Sequence, residues 1–319
     1  MTYLFILLLN IFLLALYHPI ALRLDIIDKP NERSSHDYVT IRGAGVIFLA
    51  TGLFWAFSNA NHHLYLFMGL LAIGLISFLD DIFSLTNILR FLVQTFAVII
   101  ALMDIGLQHS DYFIWAVLLI LYLGWINAFN FMDGINGITS FYSLSILIPL
   151  FMAMHNYSLP HSSLIIYLAI SVLVFMFVNL RTRALAFCGD VGAVVLAYLL
   201  AYLVITLVFT TRRVEFILFG SIYGIDSIVT IIRRLINREN IFLPHRTHLY
   251  QLLSNELNWH FLSVSLLYAL VQLIVNIFVL ISIQTIPEYS IYFALIIIVL
   301  LTSIYLYSLK VVLKKALIQ

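Results

Sequence analysis

The sequence predicts an all-α polytopic membrane protein, and three observations predict it. Hydrophobic residues make up 63% of the chain and charged residues only 10%, whereas soluble domains carry about 25% charged residues. Apolar runs of about 17–22 residues recur along the whole length, each long enough to cross a bilayer as a helix. The basic residues gather in alternate loops, which is how cytoplasmic loops are marked. A mean hydropathy of +1.08 agrees with this class. The net charge of +1, with no basic stripe, leaves no basis for nucleic-acid binding. Cys188 is the single cysteine, so an internal disulfide framework and a cysteine-based metal site are both excluded.

About eleven transmembrane helices are predicted, at roughly 3–22, 43–60, 64–80, 88–107, 112–128, 137–155, 162–179, 191–210, 214–232, 262–283 and 288–309. The first run has no basic flank before it and no small-residue cleavage site after it, so it reads as a retained span. No internal repeat divides the chain, and 1–319 is expected to form one integral-membrane domain. Every one of the sixteen Lys and Arg residues except Arg212 and Arg213 falls in the loops at 23–42, 81–90, 180–190 and 233–261 or in the C-terminal tail. The alternation therefore puts the N-terminus in the periplasm and the C-terminus in the cytoplasm. The Arg212-Arg213 pair runs against the rule, and lipid headgroups are its only evident partners. The outer loops hold Asn61-His62-His63 and the stretch from His155 to His161, whose histidines read as interfacial residues touching water.

The polar residues gather at the cytoplasmic ends, including the stretch at 127–136. The first loop holds Asp28-Lys29-Pro-Asn31-Glu-Arg33-Ser-Ser-His36 and ends in Arg42-Gly43-Ala-Gly45; its cations suit anions, although a positive-inside loop looks the same. The third span closes with Asp80-Asp81. Adjacent carboxylates repel unless a cation, a proton or solvent relieves them, and the negative end of the helix dipole makes matters worse. A metal, a base role or a solvated loop each explains the pair. Arg90 and Gln94 follow on one face of the next span. Asn127, Asn130 and Asp133 recur every three residues, which puts them on one side of a helix that Gly134 and Gly137 end. With Asn136 they form a set of amides and a carboxylate suited to hydrated Mg²⁺, ribose hydroxyls or phosphate-linked groups. Arg181 and Arg183 precede Phe187-Cys188-Gly189-Asp190-Val-Gly192, where Asp190 opens an apolar helix as an N-cap or as a ligand. Asp226 lies inside the ninth span on the face of Arg233 and Arg234. It reads as a functional acid or a structural lock, with arginine as its expected partner. Pro244-His245-Arg246-Thr-His248 suits an anionic ligand, and two histidines three apart are weak grounds for zinc.

These motifs, in this order and on one side, resemble the polyprenyl-phosphate N-acetylhexosamine-1-phosphate transferase superfamily over nearly the whole chain. The His245-Arg-x-His248 loop is similar to the O-antigen-initiating branch, which uses UDP-linked QuiNAc or FucNAc. Ile41, Ala44 and Ala193 depart from the usual Pro, Gly and Ser. The resemblance implies an enzyme of the bacterial inner membrane that attacks a UDP-N-acetylated sugar with undecaprenyl phosphate, alongside membrane lipid, releasing UMP and initiating lipopolysaccharide O-antigen or another envelope glycan. A homodimer is left open. It further implies Mg²⁺, with Mn²⁺ as an alternative, on Asp190 and on Asp80 or Asp81. Asp80, Asp81 and Asp133 become the catalytic candidates. Lys29, Asn31, Arg33, His36, Arg42, Asn127, Asn130, Asn136, Arg181, Arg183, His245, Arg246 and His248 become the substrate-binding ones. The competing classes are a secondary transporter, whose acids would sit near the bilayer midplane on paired broken helices, and a catalytically silent scaffold of a glycan assembly complex.

Overall fold

The structure is a computed structural model and describes residues 1–30, 38–241, 243 and 245–316. Within these residues the chain is almost wholly helical. In order come α1 (Thr2–Arg23), α2 (Val46–Ser58), α3 (Ala60–Phe83), α4 (Asn87–Asp104), α5 (Tyr112–Met132), α6 (Ile138–Asn156), α7 (Ser162–Asn179), α8 (Gly189–Thr211), α9 (Ser221–Ile236), α10 (Leu249–Gln251), α11 (Phe261–Thr285) and α12 (Ser290–Ala316). A tight turn over Val214–Gly220 leads into α9 and completes that crossing. Ten of these segments are long and apolar enough to span a membrane.

The expectation of about eleven spans is thus met by ten, plus one short helix. The predicted run 43–60 yields only the 13 residues of α2. At 1.5 Å per residue that is about 20 Å, less than the hydrocarbon thickness of a bilayer. Asn59 ends the helix by folding its amide back onto the Trp55 carbonyl (2.9 Å), and α3 begins at once. The hairpin still returns the chain to the end it left.

α8 is the axis of the bundle. It is apolar all round, and 94% of its spanning window is buried, against 17% for α12 and 22% for α1. A helix with no polar face belongs in a core. Closeness between α2 and α8 depends on glycine: a Cβ added to Gly45 would overlap the Gly192 backbone. Small residues allow such approach, and interhelical hydrogen bonds add about 1 kcal/mol each in lipid. Asn10 of α1 donates to Thr51 and Ser171 (both 3.1 Å), which lie 2.8 Å apart. Tyr142, Gln272 and Asn276 form a second buried chain that joins α6 to α11.

At the polar end, short backbone pairings replace helix. β1 (Ile27–Asp28) and β2 (Thr40–Ile41) are antiparallel, with Ile27 opposite Ile41. The strand then continues against the segment before α8. Phe187 N–H donates to Ile41 O (2.7 Å), Ala44 N–H to Phe187 O (3.0 Å) and Gly45 N–H to Cys188 O (2.9 Å). This ladder holds the first loop against the start of α8.

The opposite end differs from expectation. His161 is only 5% exposed. It packs beside Trp55, His63 and Tyr202, while His62 and His155 are exposed. His63 Nδ1 and Tyr202 OH both meet Asp104 Oδ2 at 2.8 Å. Arg213 is tied to the carbonyl of Pro287 (2.7 Å) and lies 3.8 Å from Glu215, so protein groups partner it.

Two outcomes follow. Gly45→Ala is expected to lower the thermal midpoint by the equivalent of about 1–3 kcal/mol through overpacking, whereas Gly124→Ala, with open space around its Cβ, changes it little. An equal response of the two variants would refute the crossing. Burial, with His63 second, pushes the His161 imidazole down to about 4 from 6.5. Between those values the unfolded chain binds more protons, so stability is complete above pH 6.5 and is lost as the pH falls toward 4. The loss approaches about 3 kcal/mol. Unfolding midpoints against pH, compared with His161→Gln, test this; an unchanged acid limb in the variant would contradict it.

Candidate active site

The site is built where α3 ends, α8 begins and the first loop is laminated between them. α3 continues through Phe83, so Asp80 and Asp81 occupy its last turn. Repulsion between them is relieved by separate partners. Asp81 turns to α8 and accepts the backbone N–H groups of Asp190 (2.8 Å) and Val191 (3.0 Å). Those amides are orphan donors at the positive end of a helix, where a carboxylate is favoured. Arg42 Nε completes the set at 2.6 Å. Asp80 turns to α4, accepting from Leu85 N–H (2.6 Å) and Arg90 Nη1 (2.5 Å).

Asp190 joins the two halves. Its Oδ1 lies 3.2 Å from Arg42 and its Oδ2 3.4 Å from Arg90 Nη1. It is also the most open of the three acids: its side chain is 17% exposed, against 5% for Asp80 and 0% for Asp81. Gly189 takes φ +73°, and a Cβ there would press on Gly43 N and Asp81 Oδ2. Only glycine permits that turn at that closeness. Burial works against the Arg42 charge, but Asp190 and then Asp81 outweigh it and push its pKa up. Cys188 is buried, and burial followed by Asp133 pushes its thiol well up, so it serves as a small packing residue.

The fit of a divalent cation can be judged from the donors. Among the described residues no three His, Cys, Asp or Glu groups form a ready metal cage. Mg²⁺ does not need one, because it is commonly held by one or two carboxylates, waters and substrate phosphates. Asp80 and Asp190 meet that requirement, since a single cationic nitrogen, Arg90 Nη1, already reaches both. Asp81 does not, because both its oxygens are committed to backbone amides and Arg42. The sequence left Asp80 and Asp81 equivalent; the structure separates them.

The remaining candidates divide. Asn127 and Asn130 lie in the last turns of α5, with Asp133 just beyond its end. All three are half-buried. Asn127 Nδ2 folds back to Leu123 O (2.7 Å). Asp133 accepts from the Thr139 hydroxyl, and burial, opposed by that bond, raises its carboxyl to about 6. Asn136 donates to Arg181 O (2.8 Å) and fixes the loop before α8. Arg181 stacks over Phe177 (5.1 Å) and Arg183 lies over Tyr38 (6.0 Å), both exposed. Lys29 is 69% exposed and lies 3.6 Å from Asp25. Asn31, Arg33, His36 and Pro244 lie outside the described residues. Arg246 is half-buried. His245 bonds Thr247 (3.1 Å), and burial, with His248 second, lowers its imidazole to about 4, which favours a neutral ring. His248 is buried against Asp226 (2.9 Å).

That last contact corrects an expectation. Asp226 meets His248, Tyr268 and Tyr305, not the following arginines. Arg233 donates to Thr247 O and Arg234 pairs with Glu239. Arg90, in the motif but not among the expected ligands, proves central. Its place in the motif, ten residues after Asp80 and across a helix break, was the sequence signal.

With this geometry in view, the chain can be compared with known proteins. Residues 63–208 match the family described as Glycosyl transferase family 4. A probable undecaprenyl-phosphate N-acetylglucosaminyl 1-phosphate transferase of Bacillus subtilis is 26% identical over 275 residues, covering 78% of this chain and 75% of the relative. An undecaprenyl-phosphate alpha-N-acetylglucosaminyl 1-phosphate transferase of Thermotoga maritima is 26% identical over 275 residues, covering 82% and 84%. The fold and these matches define a polytopic membrane phosphoglycosyltransferase. Over these matches the chain is similar to the polyprenyl-phosphate N-acetylhexosamine-1-phosphate transferases.

The different environments of the acids give a direct check. Asp81→Asn sets an amide N–H₂ against buried donors and is expected to cost about 1–3 kcal/mol of stability. Asp190→Asn, more open and without a backbone N–H on its carboxylate, costs less. Denaturation of both variants in detergent measures the order, and the reverse order would contradict the assignment.

Proposed function

We propose that the chain transfers an N-acetylated sugar 1-phosphate from a UDP-sugar to undecaprenyl phosphate at the cytoplasmic face of the bacterial inner membrane. The carrying observation is that Asp80, Asp81 and Asp190 converge with Arg42 and Arg90 at one end of a lipid-embedded bundle. That end bears nearly all the basic loops, which supports its cytoplasmic placement. A site at a helix end, beside lipid and rich in cations, suits a polyprenyl phosphate and a water-soluble nucleotide sugar meeting at the interface.

An oxygen of the acceptor phosphate attacks the β-phosphorus of the UDP-sugar. The bond from that phosphorus to the α–β bridging oxygen breaks, UMP leaves with that oxygen, and the polyprenyl diphosphate sugar remains. Mg²⁺ bound by Asp80 and Asp190 would neutralise charge on the phosphates. Asp81 holds Asp190 in place by gripping the start of α8. Arg42 and Arg90 spread positive charge across the same surface and orient phosphate oxygens. Asp133, with its carboxyl raised to about 6, is suited to proton exchange near neutrality. An acceptor phosphate has its second pKa near about 6, so the two share a proton readily. Asn127, Asn130 and Asp133 form the wall on which the nucleotide is placed, and His245 offers a neutral hydrogen-bond partner. The relatives' names specify N-acetylglucosaminyl transfer for those proteins, so UDP-GlcNAc is the first donor to try, with QuiNAc and FucNAc donors beside it and an O-antigen role as the consequence of the latter. A transporter would hold its acids near the midplane; here Asp80, Asp81 and Asp190 lie at helix ends, and Asp226 is enclosed by tyrosines and a histidine.

The test is UMP release by purified protein in nanodiscs with undecaprenyl phosphate, Mg²⁺ and a panel of UDP-sugars. Turnover is expected with at least one N-acetylated donor, abolished by chelation, restored by Mg²⁺ or Mn²⁺, and lost in a folded Asp190→Asn variant. No turnover with any donor, or a fully active Asp190→Asn, would overturn the reading.

A further inference from the structure

Asp226 lies on α9 with none of its surface exposed, and its carboxylate accepts from three hydroxyls and one backbone N–H and faces one histidine nitrogen. Oδ1 faces His248 Nδ1 (2.9 Å), Tyr305 OH (3.1 Å), Thr230 Oγ1 (3.3 Å) and the Leu249 N–H (3.4 Å). Oδ2 accepts from Tyr268 OH at 2.6 Å. Residues from α9, the α10 turn, α11 and α12 thus meet on one acid. An ionised carboxylate is an acceptor only, which is what this ring of donors suits. His248 therefore presents Nδ1–H to it.

The other ring nitrogen has no such partner. His248 is 2% exposed, and its Nε2 is buried without a hydrogen bond. A buried polar atom left unmet costs about 1–3 kcal/mol. A purely structural lock would avoid that cost, since a hydroxyl donating its one hydrogen to Asp226 leaves no second donor or ring nitrogen unmet. The ring lies beside His245 (4.9 Å between centroids) and Phe131 (6.2 Å). Phe131 belongs to the stretch Asn127–Asp133, and Tyr250 OH fastens its carbonyl to the His248 turn (2.9 Å). Arg233, whose Nη2 holds the Thr247 carbonyl (2.5 Å), leaves Nη1 buried and unmet in the same loop. The unmet His248 nitrogen thus lies on a ring that packs beside Phe131 of that stretch.

We infer that Asp226, acting through His248, is a positioning residue for the transfer reaction, fixing the imidazole so that Nε2 is presented to the sugar-diphosphate donor. The hydrogen bond at one ring nitrogen decides what the other can do, and here Asp226 makes that choice from a helix separate from the acidic cluster. The inference rests on the function proposed above. It makes Asp226 matter for the donor and not for the polyprenyl acceptor.

The test couples kinetics to a tautomer readout. Wild-type turnover is measured first; its absence overturns the proposed function and this inference with it. Given turnover, Asp226→Asn is expected to lower kcat/KM for the UDP-sugar about 10–100-fold, the range for a partner orienting a functional histidine, with KM for undecaprenyl phosphate unchanged. Asp226→Glu should restore part of the loss. In a His248→Gln background, Asp226→Asn should add less than about a 2-fold further loss, because effects routed through one group do not add. An equal factor in both backgrounds, or a rise in the acceptor KM alone, overturns the inference. A readout that needs no Asp226 variant comes from ¹⁵N-histidine spectra of the wild-type protein, with the His248 signals assigned by their loss in His248→Gln. Nδ1 should be protonated, and saturating UDP-sugar should shift Nε2. A His248 signal that ignores a donor the enzyme turns over would also overturn it.

Discussion

The arrangement depends on one interaction, the grip of the Asp81 carboxylate on the first amides of α8. Those N–H groups have no partner inside their own helix, and in a lipid environment an unmet amide is costly. Asp81 supplies the partner from another helix. Through this bond the end of α3 is fixed to the start of α8, and Arg42 is drawn in as the counter-charge (2.6 Å). The two other acids then face each other across Arg90. Removing the grip would free α8 to shift and would leave the carboxylates with no reason to converge.

The rest of the bundle serves this junction. α8 is apolar on every side because it is surrounded, and glycine contact with α2 brings the first loop over its start. The short ladder from Ile41 to Cys188 fixes Arg42 at the right height. At the far end the His63, Asp104 and Tyr202 group holds α3, α4 and α8 together. A rigid frame of this kind lets a few polar groups be placed accurately, which is what charge stabilisation of a phosphoryl transfer requires.

Much of this was legible in the sequence, for a physical reason. Apolar length and basic loops are one-dimensional signals, so the helices and the common side of the acids could be read directly. The three-residue spacing of Asn127, Asn130 and Asp133 needed only a helix, and the structure supplies one that ends at Met132. What could not be read was partnership. Asp80 and Asp81 are neighbours of the same chemical type, yet one meets an arginine and a loop amide while the other caps a distant helix. Asp226 has two arginines a helical turn or two away, but its partners are His248, Tyr268 and Tyr305, which come from three later segments. His161 looked like an interfacial residue because the loop is polar; its burial depends on Trp55 and Tyr202. The shortness of α2 was hidden because apolar residues continue past both of its ends.

The most direct measurement is an experimental structure of the protein with a non-reactive UDP-sugar analogue and Mg²⁺. The account predicts metal density between the carboxylates of Asp80 and Asp190, with the diphosphate alongside and Asp81 still on the amides of Asp190 and Val191. Metal bound by Asp81, with those amides released, would contradict it.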